Sequence, residues 1–357
     1  MKLNLKGLSG HFRQGIILEQ HKEPILSQEI EKLITPGKVQ VIRELEQPWN
    51  DIAEISPGEI VQVARLARIV DERDGLPLFR KLKLCAGRQA ALRVDAMDDE
   101  PYISSQLGPL LHMSRECAGG LALAAKAVGA VSQEILVYGA LTDLETRVPK
   151  TLDGVPVRRI LGRYPGKPLS AQSLVEENGQ VTLYVGACAL IHLYRAVYEG
   201  IKQTTAFLTV AGNCVSAPCN MEVSLGTTAT EVLDRCGLEA EPTRVVVGGS
   251  VTGISVADTD EVKVGAATRA ILALREDERD KKYRCVGCGR CVEACPMDLN
   301  PMLLYKTINM NLHSRAEQLD YKMCISCMCC SYVCPAKLDL AGRISWYRRS
   351  RKEGGRP

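Results

Sequence analysis

The sequence predicts an α+β fold in several domains, and three observations carry that prediction. Helix-like and strand-like stretches alternate between residues 51 and 202. Short β-like runs dominate residues 203–271. A cysteine pattern then occurs twice within residues 283–340, in text that otherwise reads as short helices and loops. Alternation is the mark of a layered α/β domain, and a change of texture marks a new module. At 357 residues the chain is too long for one simple core.

The elements follow in order. Residues 1–50 form an N-terminal segment in which "HKEPILSQEIEKLITPGKVQVI" reads as a short helix and then a strand. "SPGEIVQVARLARIVDE" opens a helix, with Ser56 as N-cap, Pro57 at the first helical position and Glu59 at the third. "RDGLPLFRKLKL" reads as a turn-rich connector. "GGLALAAKAVGAV" is a buried helix, "EILVYGA" and "VPVRRIL" are strands, and "ACALIHLYRAVYEG" is a helix ending at Gly200. In 203–271, "AFLTVAG", "NMEVSLG" and "RVVVGGS" are strands. A helix, "TATEVLDRCG", lies between the last two and is capped by Gly237, which together describes a small β-grasp type of module. Residues 272–282 are a charged linker, and 341–357 are a basic tail carrying Arg343, Arg348, Arg349, Arg351 and Lys352.

Composition narrows the function classes. Apolar residues make up 46% of the chain and aromatic residues 4%, so Ala, Val, Leu and Ile build the cores. Forty-five basic and 42 acidic residues nearly cancel, which implies no general attraction to nucleic acid. The start "MKLNLKGLSGHFRQG" has no apolar signal region, and no run of about 18 apolar residues exists to span a membrane. A cytoplasmic chain is expected, with membrane contact only peripheral and through partners. Fifteen cysteines in such a chain point to metal or redox chemistry rather than disulfides.

Eight of those cysteines form a ruler. "CVGCGRCVEACP" places Cys285, Cys288, Cys291 and Cys295 before Pro296, and "CISCMCCSYVCP" places Cys324, Cys327, Cys330 and Cys334 before Pro335. Both read C-x2-C-x2-C-x3-C-P, the run of bacterial two-cluster ferredoxins. Three cysteines at intervals of three surround one face of a cubane, and the fourth has turned away toward the other cluster. The expected sets are therefore crossed. Cys285, Cys288, Cys291 and Cys334 would hold one [4Fe–4S] cluster, and Cys324, Cys327, Cys330 and Cys295 the second. Zinc needs only paired C-x2-C units, without the third cysteine or the proline. Cys329 is off the ruler and reads as a small packed residue. Cys85, Cys117, Cys188, Cys214, Cys219 and Cys236 read as core or loop thiols, with Cys214 and Cys219 the only pair close in sequence. No catalytic residue is predicted.

Several phrases resemble the RnfC component of Rnf electron-transport complexes and soluble relatives such as the electron-transfer protein of D-proline reductase. They are "FRQGIILEQHKEPI", "PGEIVQVARLARIV", "GLPLFRKLKL", "DDEPYISS", "TVAGNCVSAPCNMEVSLGTTATEVLDRCG", "VVVGGSVTGISV" and "CGRCVEACPMDLNPMLLY". The resemblance implies a flavin-type α/β domain over 51–202, a soluble-ligand-binding β-grasp (SLBB) domain over 203–271 and a double-cluster domain over 283–340. It also implies redox protein partners, among them an Rnf-type complex or a reductase, and anaerobic metabolism. The chain departs from the family in two places. The barrel-sandwich domain after the opening is missing, and the glycine-rich flavin loop is replaced by "VDERDGLP". Asp71, Glu72 and Asp74 there would repel a phosphate, and Arg73 does not balance them. FMN and NADH, implied by the family, are thus disfavoured by the residues. Lys81 and Glu100 match family positions and read as surface or structural groups. Gly248, Gly249 and Gly253 of "GGSVTG" form a turn with a weak ligand signal. The expected function is electron transfer through two [4Fe–4S] clusters between a redox donor and a partner reductase or membrane complex. An FMN-dependent NADH:acceptor oxidoreductase component and a non-redox scaffold are the alternatives.

Overall fold

The computed structural model describes residues 31–33, 49–98, 100–138, 148–160, 164–165, 174–177, 180–275 and 283–352. The helix and strand expected before residue 49, most of the charged linker and the last residues of the basic tail lie outside them, apart from a strand at 31–33. The described residues fall into two compact units, one within Gln14–Arg275 and one within Glu276–Pro357.

The first unit holds two sheets. Its strands in chain order are β1 (Glu31–Leu33), β2 (Ala91–Ala96), β3 (Ser132–Tyr138), β4 (Thr151–Leu152), β5 (Val155–Ile160), β6 (Leu174–Glu177), β7 (Gln180–Gly186), β8 (Thr205–Ala211), β9 (Cys219–Ser224), β10 (Arg244–Val247), β11 (Ile254–Val256) and β12 (Ala270–Leu274). Its helices are α1 (Pro57–Leu66), α2 (Leu78–Cys85), α3 (Leu107–His112), α4 (Ser114–Val128), α5 (Ala187–Tyr198) and α6 (Ala229–Cys236). One sheet runs β4-β5-β3-β2-β7-β6, with β5, β3, β2 and β7 parallel and the two edge strands antiparallel. The chain leaves β2 toward β3 and β5, and β7 returns on the other side of β2. The carboxyl ends of β2 and β7 therefore flank a topological switch point, the usual ligand crevice of an open α/β sheet.

Local chemistry explains the helices that frame this crevice. Ser56 accepts from Glu59 N while the Glu59 carboxylate accepts from Ser56 N at 2.7 Å, a capping box that starts α1 with Pro57 in its first turn. Residues 78–85, expected as connector, form α2 instead. Pro77 presets its entry, and Leu78, Lys81, Leu82 and Cys85 bury one face. Ala91–Ala96 carries no clean alternation in sequence and is the central strand. Its Leu92 and Val94 pack with Ile135, Val137, Leu183 and Val185 against α4 and α5.

Helices α4 and α5 touch backbone to backbone at Gly120, where a Cβ would stand 2.0 Å from the Leu190 carbonyl oxygen. Gly120→Ala is expected to cost at least about 1–3 kcal/mol by overpacking, read as a lowered Tm of the first unit. An unchanged Tm would contradict this close approach.

The second sheet runs β1-β9-β8-β12-β10-β11. Strand β12 continues to Leu274, past the boundary expected at 271, and sits between β8 and β10. Helix α6 carries a second capping box, Thr228 with Glu231, and ends at Gly237 in a left-handed turn (φ 69°). Polar side chains tie this sheet to the α/β layer. Thr209 Oγ1 accepts from Ser104 N at 3.0 Å, and Arg195 pairs with Glu222 at 2.5 Å.

The second unit is built of α7 (Arg290–Glu293), α8 (Pro301–Asn309), α9 (His313–Gln318), α10 (Cys329–Tyr332) and α11 (Leu340–Lys352). The basic tail is thus a helix of this unit. Its Leu340, Ala341, Ile344 and Tyr347 are buried, and Arg348 turns inward to donate to the Cys324 carbonyl and, at 3.1 Å, to Ser326 Oγ. Among the described residues no helix is long and apolar enough to cross a membrane.

Candidate functional site

The second unit repeats one local plan. Each copy starts with a loop carrying two of its cysteines and enters a one-turn helix, which holds the third, through a left-handed residue: Gly289 (φ 75°) before α7, Met328 (φ 62°) before α10. Each then ends that turn at a Cys-Pro step, because proline cannot continue the hydrogen-bond ladder. Another left-handed residue follows, Asp298 (φ 52°) or Lys337 (φ 53°). A capped helix comes next. Asn300 Oδ1 accepts from Leu303 N at 3.0 Å to open α8, and Asp339 Oδ1 accepts from Gly342 N at 2.9 Å to open α11.

The repeat brings thiols from both copies together. One cavity is lined by Cys285, Cys288, Cys291 and Cys334, with Val286, Val292 and Met302 around them. The other is lined by Cys295, Cys324, Cys327 and Cys330, with Met297, Ile325, Met328 and Ile344. Each cavity thus takes three cysteines from one motif and the last cysteine of the other. Neither lining includes a carboxylate or an imidazole. Among the described residues no three His, Cys, Asp or Glu side chains converge as a single metal ion requires. Thiols spread around a cavity fit a cubane, whose irons each take one thiolate.

The two seats differ in burial. Cys285 and Cys288 are exposed, and Val286 between them is 69% exposed. Cys324 and Cys327 are half-buried and Cys330 is buried. Burial pushes the Cys324 and Cys330 thiols up. The Cys329 thiol is hydrogen-bonded to the Cys327 sulfur, which brings Cys327 down to about 7 and pushes Cys329 up. Cys329, off the ruler, lies against the sulfur of a candidate ligand. The other six cysteines are buried free thiols. The sulfurs brought together among them are Cys219 and Cys236, 3.4 Å apart, rather than Cys214 and Cys219.

The apolar wall of the second seat sets an expectation for potentials. Reduction adds negative charge, which an apolar, more buried wall of Ile325, Met328 and Ile344 resists more than an exposed rim. The second seat is expected to have the lower potential. Arg348 opposes this only weakly, because it donates to the Cys324 carbonyl rather than to a sulfur. Met328→Gly is expected to raise that potential alone in an EPR-monitored titration. An unmoved potential, or a shift at the first seat, would contradict it.

The acidic loop lies at the crevice between β2 and β7. Asp71 and Glu72 are buried, at 0% and 6% exposure. They do not face outward. Lys81, itself buried, donates to Asp71 Oδ2 at 2.5 Å and to Asp74 Oδ2 at 2.8 Å. Arg73 pairs with Asp95 at the end of β2 at 2.6 Å and with Asp74 at 3.7 Å. Arg73 thus directs its charge mainly to Asp95, and the cation overlooked in the sequence is Lys81, which bridges Asp71 and Asp74. Lys81 is not a surface group, and neither is Glu100. Glu100 is buried, and its Oε2 accepts from Val251 N at 2.8 Å and Thr252 N at 3.0 Å. A Cβ on Gly249 would stand 2.1 Å from that carboxylate, so the "GGSVTG" turn is shaped around Glu100.

Two thiol-lined seats of this kind define a 4Fe–4S dicluster domain within the chain. A family model described as "4Fe-4S dicluster domain" matches residues 277–335. The chain is RnfC-like. It is 26% identical to the C component of the proton-translocating ferredoxin:NAD(+) oxidoreductase complex of Clostridium ljungdahlii, over 74% of this chain and 62% of the relative. It is 29% identical to the C component of the ion-translocating oxidoreductase complex of Rhodobacter capsulatus, over 71% of this chain and 52% of the relative. The chain thus spans between about half and three-fifths of the length of these relatives. Its fold is similar to a chain in the crystal structure of an NAD+-reducing [NiFe]-hydrogenase in the H2-reduced state. That likeness has a TM-score of 0.52 and 13% identity, and covers 87% of this chain and 66% of the other.

Proposed function

We propose that the chain is an electron-transfer protein, with Cys285, Cys288, Cys291 and Cys334 as ligands of one [4Fe–4S] cluster and Cys324, Cys327, Cys330 and Cys295 as ligands of the second. The observation that carries this is the lining of the two cavities, each with four thiols drawn from both motifs. When bound, the clusters supply one-electron transfer between a redox donor and a partner reductase or membrane complex. The chain's own residues hold the clusters, keep water from the second seat and present the exposed rim of the first. That rim, with Val286, Tyr283 and the exposed Arg284 and Arg290, is the natural side for a partner to approach.

The relatives are components of ion-translocating complexes, and by likeness the partners of this chain are redox proteins of such a complex or of a soluble reductase. Its place is then the cytoplasm, including the inner face of a membrane reached through those partners. Residues 203–271 read as an SLBB β-grasp module and residues 51–202 as a flavin-type domain with an altered loop. Anaerobically reconstituted protein should be reduced by dithionite and reoxidised by a one-electron acceptor. Clusters that bind yet stay silent to both reagents would leave only a structural role.

A further inference from the structure

The crevice of an open α/β sheet receives a nucleotide phosphate on the N–H groups at the start of the following helix. Here β7 ends at Gly186 and α5 begins at Ala187, so those donors are Gly186, Ala187, Cys188 and Ala189. Side chains of the same chain take all four. Asp71 accepts from Gly186 N, with both carboxylate oxygens at 3.2 Å. Gln106 Oε1 accepts from Ala187 N at 3.1 Å. Glu72 Oε1 accepts from Cys188 N at 3.0 Å, and Glu72 Oε2 accepts from Ala189 N at 2.9 Å. The fit is tight, since a Cβ on Gly186 would stand 2.1 Å from Glu72 Oε1. Lys81 fixes the loop from below through Asp71 and Asp74.

We propose that the Asp71–Glu72 pair is a built-in occupant of this seat, a carboxylate substitute for a phosphate, so that the chain takes up neither a flavin nor a nicotinamide dinucleotide and exchanges electrons only with one-electron protein partners. The second half rests on the electron-transfer reading above. A phosphate dianion would have to displace two buried carboxylates whose hydrogen bonds are already made, and would meet their charge at contact distance. The consequence for partners follows from electron counting. A nicotinamide gives up a hydride, which carries two electrons, whereas a [4Fe–4S] cluster accepts one at a time. Splitting the pair needs a flavin, and the flavin's phosphate seat is filled. Donor and acceptor must then both deliver or take single electrons, as iron–sulfur or semiquinone-bearing proteins do.

The test uses the full-length holoprotein. FMN fluorescence is titrated with wild-type protein, and cluster absorbance is followed under anaerobic NADH and, separately, dithionite. The expected result is no saturable quenching of FMN and no bleaching by NADH, with full bleaching by dithionite. Stoichiometric FMN binding, or clusters reduced by NADH, would overturn the proposal. Failure of dithionite alone would instead sink the electron-transfer reading and leave the occupied seat intact. Glu72→Ala supplies the causal arm: FMN is expected to protect this variant against thermal unfolding at concentrations about tenfold or more below any that protect wild type. A folded Glu72→Ala that gains no such protection would overturn the role of Glu72 as occupant. If the variant does not fold, the wild-type titrations decide.

Discussion

Cys334→Ala is expected to empty the seat formed by Cys285, Cys288 and Cys291 while sparing the seat of its own motif. Iron and sulfide should fall by up to about half, and the lost EPR signal should be that of the more exposed seat. Double variants make the assignment sharp, because two lesions in one seat do not add whereas lesions in different seats do. Cys334→Ala combined with Cys288→Ala should retain as much iron as Cys334→Ala alone. Cys334→Ala combined with Cys327→Ala should lose nearly all of it. Sets confined to one motif would give the opposite pattern. The cause is the Cys-Pro step: Cys334 sits beyond the turn that ends α10, and lines the cavity of Cys285, Cys288 and Cys291.

Lys81→Met should destabilise the first unit by about 3–5 kcal/mol, the usual result of stripping one partner from a buried ion pair. Lys81 is 1% exposed and bridges Asp71 and Asp74, so its loss leaves Asp71 buried without its cation and Asp74 to Arg73, at 3.7 Å. The loss should depend on pH. Burial already raises the proton affinity of Asp71, and Lys81 is the first group that lowers it. Without Lys81 the folded state holds the Asp71 proton still more tightly than the unfolded chain does. Stability of the variant should therefore fall as pH rises above the ordinary carboxylate range, more steeply than in wild type. Thermal unfolding at rising pH checks it, and parallel curves for the two proteins would show that Lys81 does not govern this loop.

These two sites are legible in the sequence to different depths, and the reason is range. The cysteine pattern is local: spacing, proline and the repeat specify three thiols on one side and a fourth on the other. Ser56, Pro57 and Glu59 likewise declare a helix start within a few residues. The loop at Asp71 declares only its charge. What gives that charge a purpose is Lys81, ten residues on, and the N–H groups of Cys188 and Ala189, more than a hundred residues on. No local pattern encodes which way a carboxylate turns, so outward repulsion is the natural expectation and inward capping the outcome. Helix α2 is hidden because Gly75 and Pro77 punctuate its start and its apolar face is narrow. Strand β2 is hidden because Arg93 and Asp95 interrupt its apolar run, although that strand lies at the centre of its sheet. The "GGSVTG" glycines read as a turn. The tight approach of Glu100, some 150 residues earlier in the chain, is what makes glycine necessary at Gly249.

The four thiols lining each cavity turn the electron-transfer account into a countable claim. Anaerobically reconstituted wild-type protein, assayed for iron and sulfide and titrated with EPR detection, tests it most directly. The account predicts about eight iron and eight sulfide per chain and two reduced signals with separate midpoints. About one iron or zinc per motif without sulfide, or clusters that no reductant changes, would contradict it.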